Sequence, residues 1–131
     1  MDESGMWKSI KPALKEFSLD PYRIENSVGA GCPDVNYLKG WLELKYVKRW
    51  PKRGGALRLP HFTPLQREWL RRRWEHGGKA FLLLRVDKEW LLFGGKIAAS
   101  HVGNFGREAL IALSILHTTK KMEVAKWLAE N

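Results

Sequence analysis

Residues 79–86, KAFLLLRV, form a short and nearly continuous apolar run, the feature that most limits what this chain can fold into. A strand that is apolar on both sides must be covered on both faces, which places it in the middle of a sheet between helical layers. A helix leads into it. Thr63 suits the N-cap, Pro64 the first helical position, and Gln66 completes a T-x-x-Q capping box. The helix runs to about His76 and stops at Gly77-Gly78. After the run, Asp87-Lys88 turns the chain into EWLLF, a hairpin partner.

Upstream, PDVNYL and WLELKYV read as two strands joined by a tight Lys39-Gly40 turn. Residues 21–28, PYRIENSV, suggest an earlier strand that ends at the Gly29-Ala30-Gly31 turn. Trp7, Ile10, Leu14 and Phe17 recur at helical spacing and predict a helix over 6–17, with Pro12 tolerated only in a first turn. Residues 48–61 are a Pro/Gly/Arg-rich loop. Further helices are expected at about 106–117 and 120–129. The resulting order, α-β-β-β-α-β-β-α, predicts an α/β sandwich with a central mixed sheet flanked by helices. The 131 residues suit a single domain, with a core over about 6–95 and a C-terminal helical segment over about 106–130.

Several function classes fall away. The single cysteine, Cys32, excludes an internal disulfide and fits a reducing compartment. His61, His76, His101 and His117 are scattered, with no zinc-ligand spacing. No stretch approaches the roughly 18 apolar residues of a membrane span. The opening MDESGMWKSI lacks the apolar segment of a secretory signal, so a cytoplasmic protein that touches no membrane is expected.

The net charge is +9, and its distribution is uneven. Residues 1–44 carry −2, residues 45–73 carry +9 and residues 74–131 carry +2. Such a concentration is either a solvated basic face or a surface for phosphate groups. It lies directly after a second feature, GCPDVNYLKGWLELKYV. Glu43 and Lys45 are two apart on a predicted strand and so share a face, while Leu42 and Leu44 point to the core. The hairpin folds Asp34 back toward Glu43. Two convergent carboxylates make a hard oxygen site suited to Mg²⁺. A neighbouring ammonium, Lys45, is placed to orient or deprotonate an attacking water and to offset developing charge. An E-x-K triplet means little alone; a Pro-Asp pair shortly upstream, with both on apolar strands, is far rarer. The bland alternative is a turn at Pro33-Asp34 and a solvent-facing Glu43/Lys45 pair.

The segment RIENSVGAGCPDV…GWLELKYVKRWP…FTPLQREWLRRRWEHGGKAFLLLRV resembles the PD-(D/E)XK nuclease superfamily, over roughly residues 21–95. More narrowly, it looks like the small stand-alone VRR-NUC proteins of phages, relatives of the Holliday junction resolvases. The resemblance implies a restriction-endonuclease-like α-β-β-β-α-β core. It implies Asp34, Glu43 and the Leu44 backbone carbonyl as metal ligands, Lys45 as the catalytic lysine, and Mg²⁺, with Mn²⁺ as a substitute, as the cofactor. It also implies an upstream glutamate, for which Glu25 is favoured over Glu16. Gln66 matches a glutamine that such nucleases carry near the metal, although the capping box accounts for it equally well. Ser27 is either a phosphate contact or a turn serine.

The basic stretch fits a DNA substrate. Lys48, Arg49, Lys52, Arg53 and Arg58 lie on the loop, and Arg67 and Arg71 share one face of the following helix, beside Arg72 and Arg73. These are expected to contact phosphates, which position DNA without reading its sequence. Trp50 is a candidate to stack on an unpaired base. Structure-selective cleavage of branched DNA, four-way junctions first, is expected, with no small-molecule cofactor, and the resemblance implies a homodimer. The Ala109–Trp127 segment is the candidate dimer interface. The rivals are a nicking, flap or restriction-like nuclease, a non-catalytic DNA-binding module, and a protein that binds an acidic partner.

Overall fold

In the computed structural model the described residues are 1–24 and 30–131. The chain is an α/β protein with five helices and a six-stranded mixed sheet among those residues. In order these are α1 (Glu3–Glu16), β1 (Tyr22–Arg23), β2 (Val35–Tyr37), β3 (Gly40–Val47), α2 (Pro64–Glu75), β4 (Ala80–Val86), β5 (Glu89–Gly94), α3 (Gly95–His101), α4 (Arg107–Leu113), β6 (Leu116–Thr118) and α5 (Lys121–Glu130). The strands lie side by side in sequence order. Only β3 and β4 are parallel, because α2 carries the chain back between them; the other neighbours are antiparallel.

Two buried layers explain the apolar run. Phe81 and Leu83 of β4 join Val35, Tyr37, Leu42 and Leu44 under α1 and α5, through Ile10, Leu14, Val124 and Leu128. Leu82, Leu84 and Val86 face the other way, onto Leu70 of α2, Ala98 of α3 and Leu110 of α4. Alternate residues of β4 serve different layers, and only Arg85, near the end of the strand, is polar and partly exposed.

The α2 expectation holds in detail. The Thr63 hydroxyl accepts from Gln66 N and the Gln66 side chain accepts from Thr63 N, while Gly77 takes φ +86° after the last turn. Other expectations need correction. The first helix begins at Glu3, because Asp2 caps it by accepting from Gly5 N at 2.8 Å. Pro12 therefore stands well inside the helix. It and Lys8, whose carbonyl it leaves without an intrahelical partner, are both exposed, so water can satisfy that carbonyl.

The expected helix over 106–117 stops at Leu113. Ser114 closes it, Ile115 N donates to Leu92 O, and Leu116–Thr118 pairs with β5 as an edge strand. The segment's apolar residues are consequently divided between faces: Leu110 lies in the α2 layer and Val124, Ala125 and Leu128 in the α1 layer. Helix α3 was not among the expected elements. A Cβ on Gly95 would lie 2.5 Å from Leu70 O, so glycine here permits close packing of α3 on α2. No helix among the described residues is long and apolar enough to cross a membrane.

Candidate active site

The hairpin does bring the predicted residues together. Strand β2 pairs with β3 only from Gly40 to Leu42. Beyond Leu42 the β2 side of β3 is left to the chain before β2, and there Asp34 Oδ2 accepts from Leu44 N at 2.9 Å. A side chain thus replaces the missing ladder bond. Within a strand, the N–H and C=O of one residue point to the same side. The Leu44 carbonyl therefore faces the edge that holds Asp34. Gly31, at φ +81°, lets this segment close onto the start of α2, where a Cβ would lie 2.5 Å from Leu65 O.

Glu43 and Lys45 share the opposite face from Leu42 and Leu44, as expected, but neither is solvated. Glu43 is 1% exposed and Lys45 5%. Lys45 Nζ lies 3.1 Å from Glu43 Oε2, yet neither Glu43 oxygen has a hydrogen-bond donor in good geometry among the described residues. Burial, and then the adjacent Asp34 charge, raise the Glu43 pKa to about 8, against the opposing pull of Lys45. A buried carboxyl with no well-aligned donor to either oxygen, beside a second carboxylate and a backbone carbonyl, fits a hard divalent cation. Among the described residues no third Asp, Glu, His or Cys completes a cluster of three with them.

Lys45 is held from three sides. Its Nζ donates to the His61 carbonyl at 3.1 Å, lies 6.0 Å from the centre of the Phe62 ring, and is 3.8 Å from Glu3 Oε1. Glu3 was missed by sequence reasoning. The signal was present in Asp2-Glu3-Ser4-Gly5, an N-cap followed by an acid in the first turn. It faces the lysine from α1, whereas Glu16 ends that helix about 20 Å away, at roughly 1.5 Å per residue. Glu25 and Ser27 lie outside the described residues.

The basic residues separate into two groups. Lys48, Arg49, Lys52 and Arg53 are exposed and make no ion pair or side-chain hydrogen bond among the described residues. Lys48 and Arg58, with His61, line a groove of about 460 Å³ that reaches Lys45 and Glu3, and Arg58 also donates to Gly103 O at 3.4 Å. The helix arginines are otherwise engaged. Arg71 pairs with Glu68 and Glu75 on its own helix. Arg67 gives its donors to backbone carbonyls at Phe62, Ala98, Ala99 and Val102, so it is not a free phosphate contact. The Gln66 side-chain oxygen is committed to the capping box. Trp50 is half-buried, with Nε1 bonded to Glu89 at 2.5 Å and Arg107 over its ring, so stacking on a base would require that anchor to break.

The chain matches no protein-family model and no curated protein.

Proposed function

We propose that this protein is a Mg²⁺-dependent endodeoxyribonuclease with a restriction-endonuclease-like core, acting on branched DNA. The observation that carries the reading is Glu43: a strand carboxylate held out of water beside Asp34, with Lys45 Nζ 3.1 Å from one oxygen but no well-aligned hydrogen-bond donor to either among the described residues. The Lys45 contact offsets only part of the cost of burying Glu43 beside Asp34, which leaves the two carboxylates suited to a further cation.

Asp34, Glu43 and the Leu44 carbonyl would hold the cation, which supplies Lewis-acid activation of water and of the scissile phosphate. The Asp34 carboxylate keeps one oxygen on Leu44 N, which fixes its orientation. The His61 carbonyl and Glu3 hold the Lys45 ammonium at the groove, where it would orient the attacking water and offset charge developing on the pentacoordinate phosphorus of the transition state. Lys48 and Arg58 line that groove, and Arg49, Lys52 and Arg53 of the same loop are exposed, a set suited to phosphates rather than base edges. The preference for junctions and the homodimer rest on the resemblance.

The test is cleavage of a labelled four-way junction beside a linear duplex, a flap and single-stranded DNA, with Mg²⁺ or EDTA, for the native protein and Asp34→Ala and Lys45→Ala. Paired symmetric nicks in the junction alone, absent in EDTA and in both variants, are expected. Equal cutting of every substrate would keep the nuclease and remove the junction preference. DNA binding without Mg²⁺-dependent cutting would leave a binding module.

A further inference from the structure

Arg67 is the most heavily bonded side chain on α2, and none of its partners is an acid. Its Nε donates to Phe62 O at 3.1 Å, and one terminal nitrogen reaches Val102 O at 2.7 Å, Ala99 O at 3.2 Å and Ala98 O at 3.4 Å. Those three carbonyls lie at the end of α3, where Ala98 O also accepts from Val102 N and backbone donors then run out. The guanidinium also lies 4.2 Å from the centre of the Phe62 ring. Gly103, at φ +116°, leaves room for it: a Cβ there would be 2.8 Å from an Arg67 nitrogen. The cation is therefore set into a fitted slot between α2, α3 and the chain before Thr63.

That chain is the segment that holds Lys45. The His61 carbonyl takes the Lys45 hydrogen bond, and the Phe62 ring lies between the two cations, 4.2 Å from Arg67 and 6.0 Å from Lys45 Nζ. The backbone from 48 to 62 has no helix or strand of its own. Local hydrogen bonding alone would leave the His61 carbonyl loosely placed.

We propose that Arg67 is a positioning residue for Lys45: by fastening Phe62 through its carbonyl and its ring, it fixes the His61 carbonyl that aims the lysine. The inference rests on the nuclease reading for its catalytic meaning, but the fastening itself does not. A displacement of about 1 Å in such a group lowers rates on the order of a hundredfold, so the effect should appear in turnover and not in DNA affinity.

The variants are Arg67→Lys, which keeps the charge but cannot both bond Phe62 and reach the α3 carbonyls, and Phe62→Leu, which keeps an apolar contact without the ring. Amine acetylation of the native protein, mapped by mass spectrometry, reads the position of Lys45 without DNA or metal. Lys45 should label far more slowly than exposed Lys48 in the native protein, and its labelling should rise severalfold in both variants while that of Lys48 is unchanged. In cleavage assays kcat should fall on the order of tenfold or more in each variant, with KM and the salt dependence of junction binding unchanged. The double variant should be no worse than the poorer single one, since both act on one contact. A raised KM with a shallower salt dependence would make Arg67 a phosphate contact and overturn the proposal. Unaltered Lys45 labelling in a folded variant would overturn it as well. If the native protein cuts no DNA yet the labelling result holds, the nuclease reading fails and the fastening stands.

Discussion

Glu43 and Glu89 are glutamates on two strands of the same sheet, and both are largely withdrawn from water. Glu89 receives hydrogen bonds from Trp50 Nε1, Arg107 and His117, and although burial works against ionisation, those donors lower its pKa to about 2. Glu43 has an ion-pair contact with Lys45, no well-aligned donor, and a pKa raised to about 8 by burial and Asp34. The first is what a structural carboxylate becomes: it ties the 48–61 loop, β5, α4 and β6 together. The second lowers the stability of the fold, a cost that a cation bound at the proposed site would offset.

Glu43→Gln should separate the two most sharply. It should abolish Mg²⁺-dependent cleavage, a loss on the order of a thousandfold or more. It should also raise the stability of the metal-free protein at pH 8 by about 1–3 kcal/mol, read from a denaturant midpoint. An active Glu43→Gln protein, or a destabilised one, would break the contrast. Glu89→Gln should do the reverse: a loss of about 2 kcal/mol in the same titration, with cleavage within a few-fold of the native rate.

The pH dependence should have opposite sign at the two residues. The folded Glu43 carboxyl binds its proton more tightly than the unfolded one, so its unfavourable contribution grows as pH rises from 4.5 to about 8. The advantage of Glu43→Gln should widen across that window. Glu89 is depressed, so its contribution is present above 4.5 and is lost as pH falls toward 2. The deficit of Glu89→Gln should therefore narrow in acid. Equilibrium unfolding at a series of pH values checks both.

Smaller effects are expected at the rim. Trp50→Phe removes one donor to Glu89 and should cost about 1 kcal/mol while leaving junction affinity within twofold; a large affinity loss would restore the stacking role. Lys52→Ala should leave folding stability within about 0.5 kcal/mol and lower the salt slope of DNA binding by about one.

What was legible in the sequence followed from strong local signals. The buried run gave β4, the Thr63–Gln66 box gave α2, and the two-residue spacing of Glu43 and Lys45 placed them on one face. What escaped depended on distant partners. Helix α3 packs through the close approach of Gly95 to Leu70, and Leu116–Thr118 is a strand only because β5 offers an edge. The basic residues look alike in sequence; only the fold shows that Arg67 and Arg71 are already bonded while Lys52 and Arg53 are free of ion pairs among the described residues. Glu3 was hidden by a helix start placed three residues too late.

The most direct measurement is calorimetric titration of the native protein and Glu43→Gln with Mn²⁺ and Mg²⁺ at pH 7, in buffers of different ionisation heat. A carboxyl titrating near pH 8 must shed its proton to take a metal, so native binding should release close to one proton per ion. That release and most of the affinity should vanish in Glu43→Gln. No cation binding by the native protein, or binding that Glu43→Gln leaves intact, would contradict the assignment of Glu43 to a metal site.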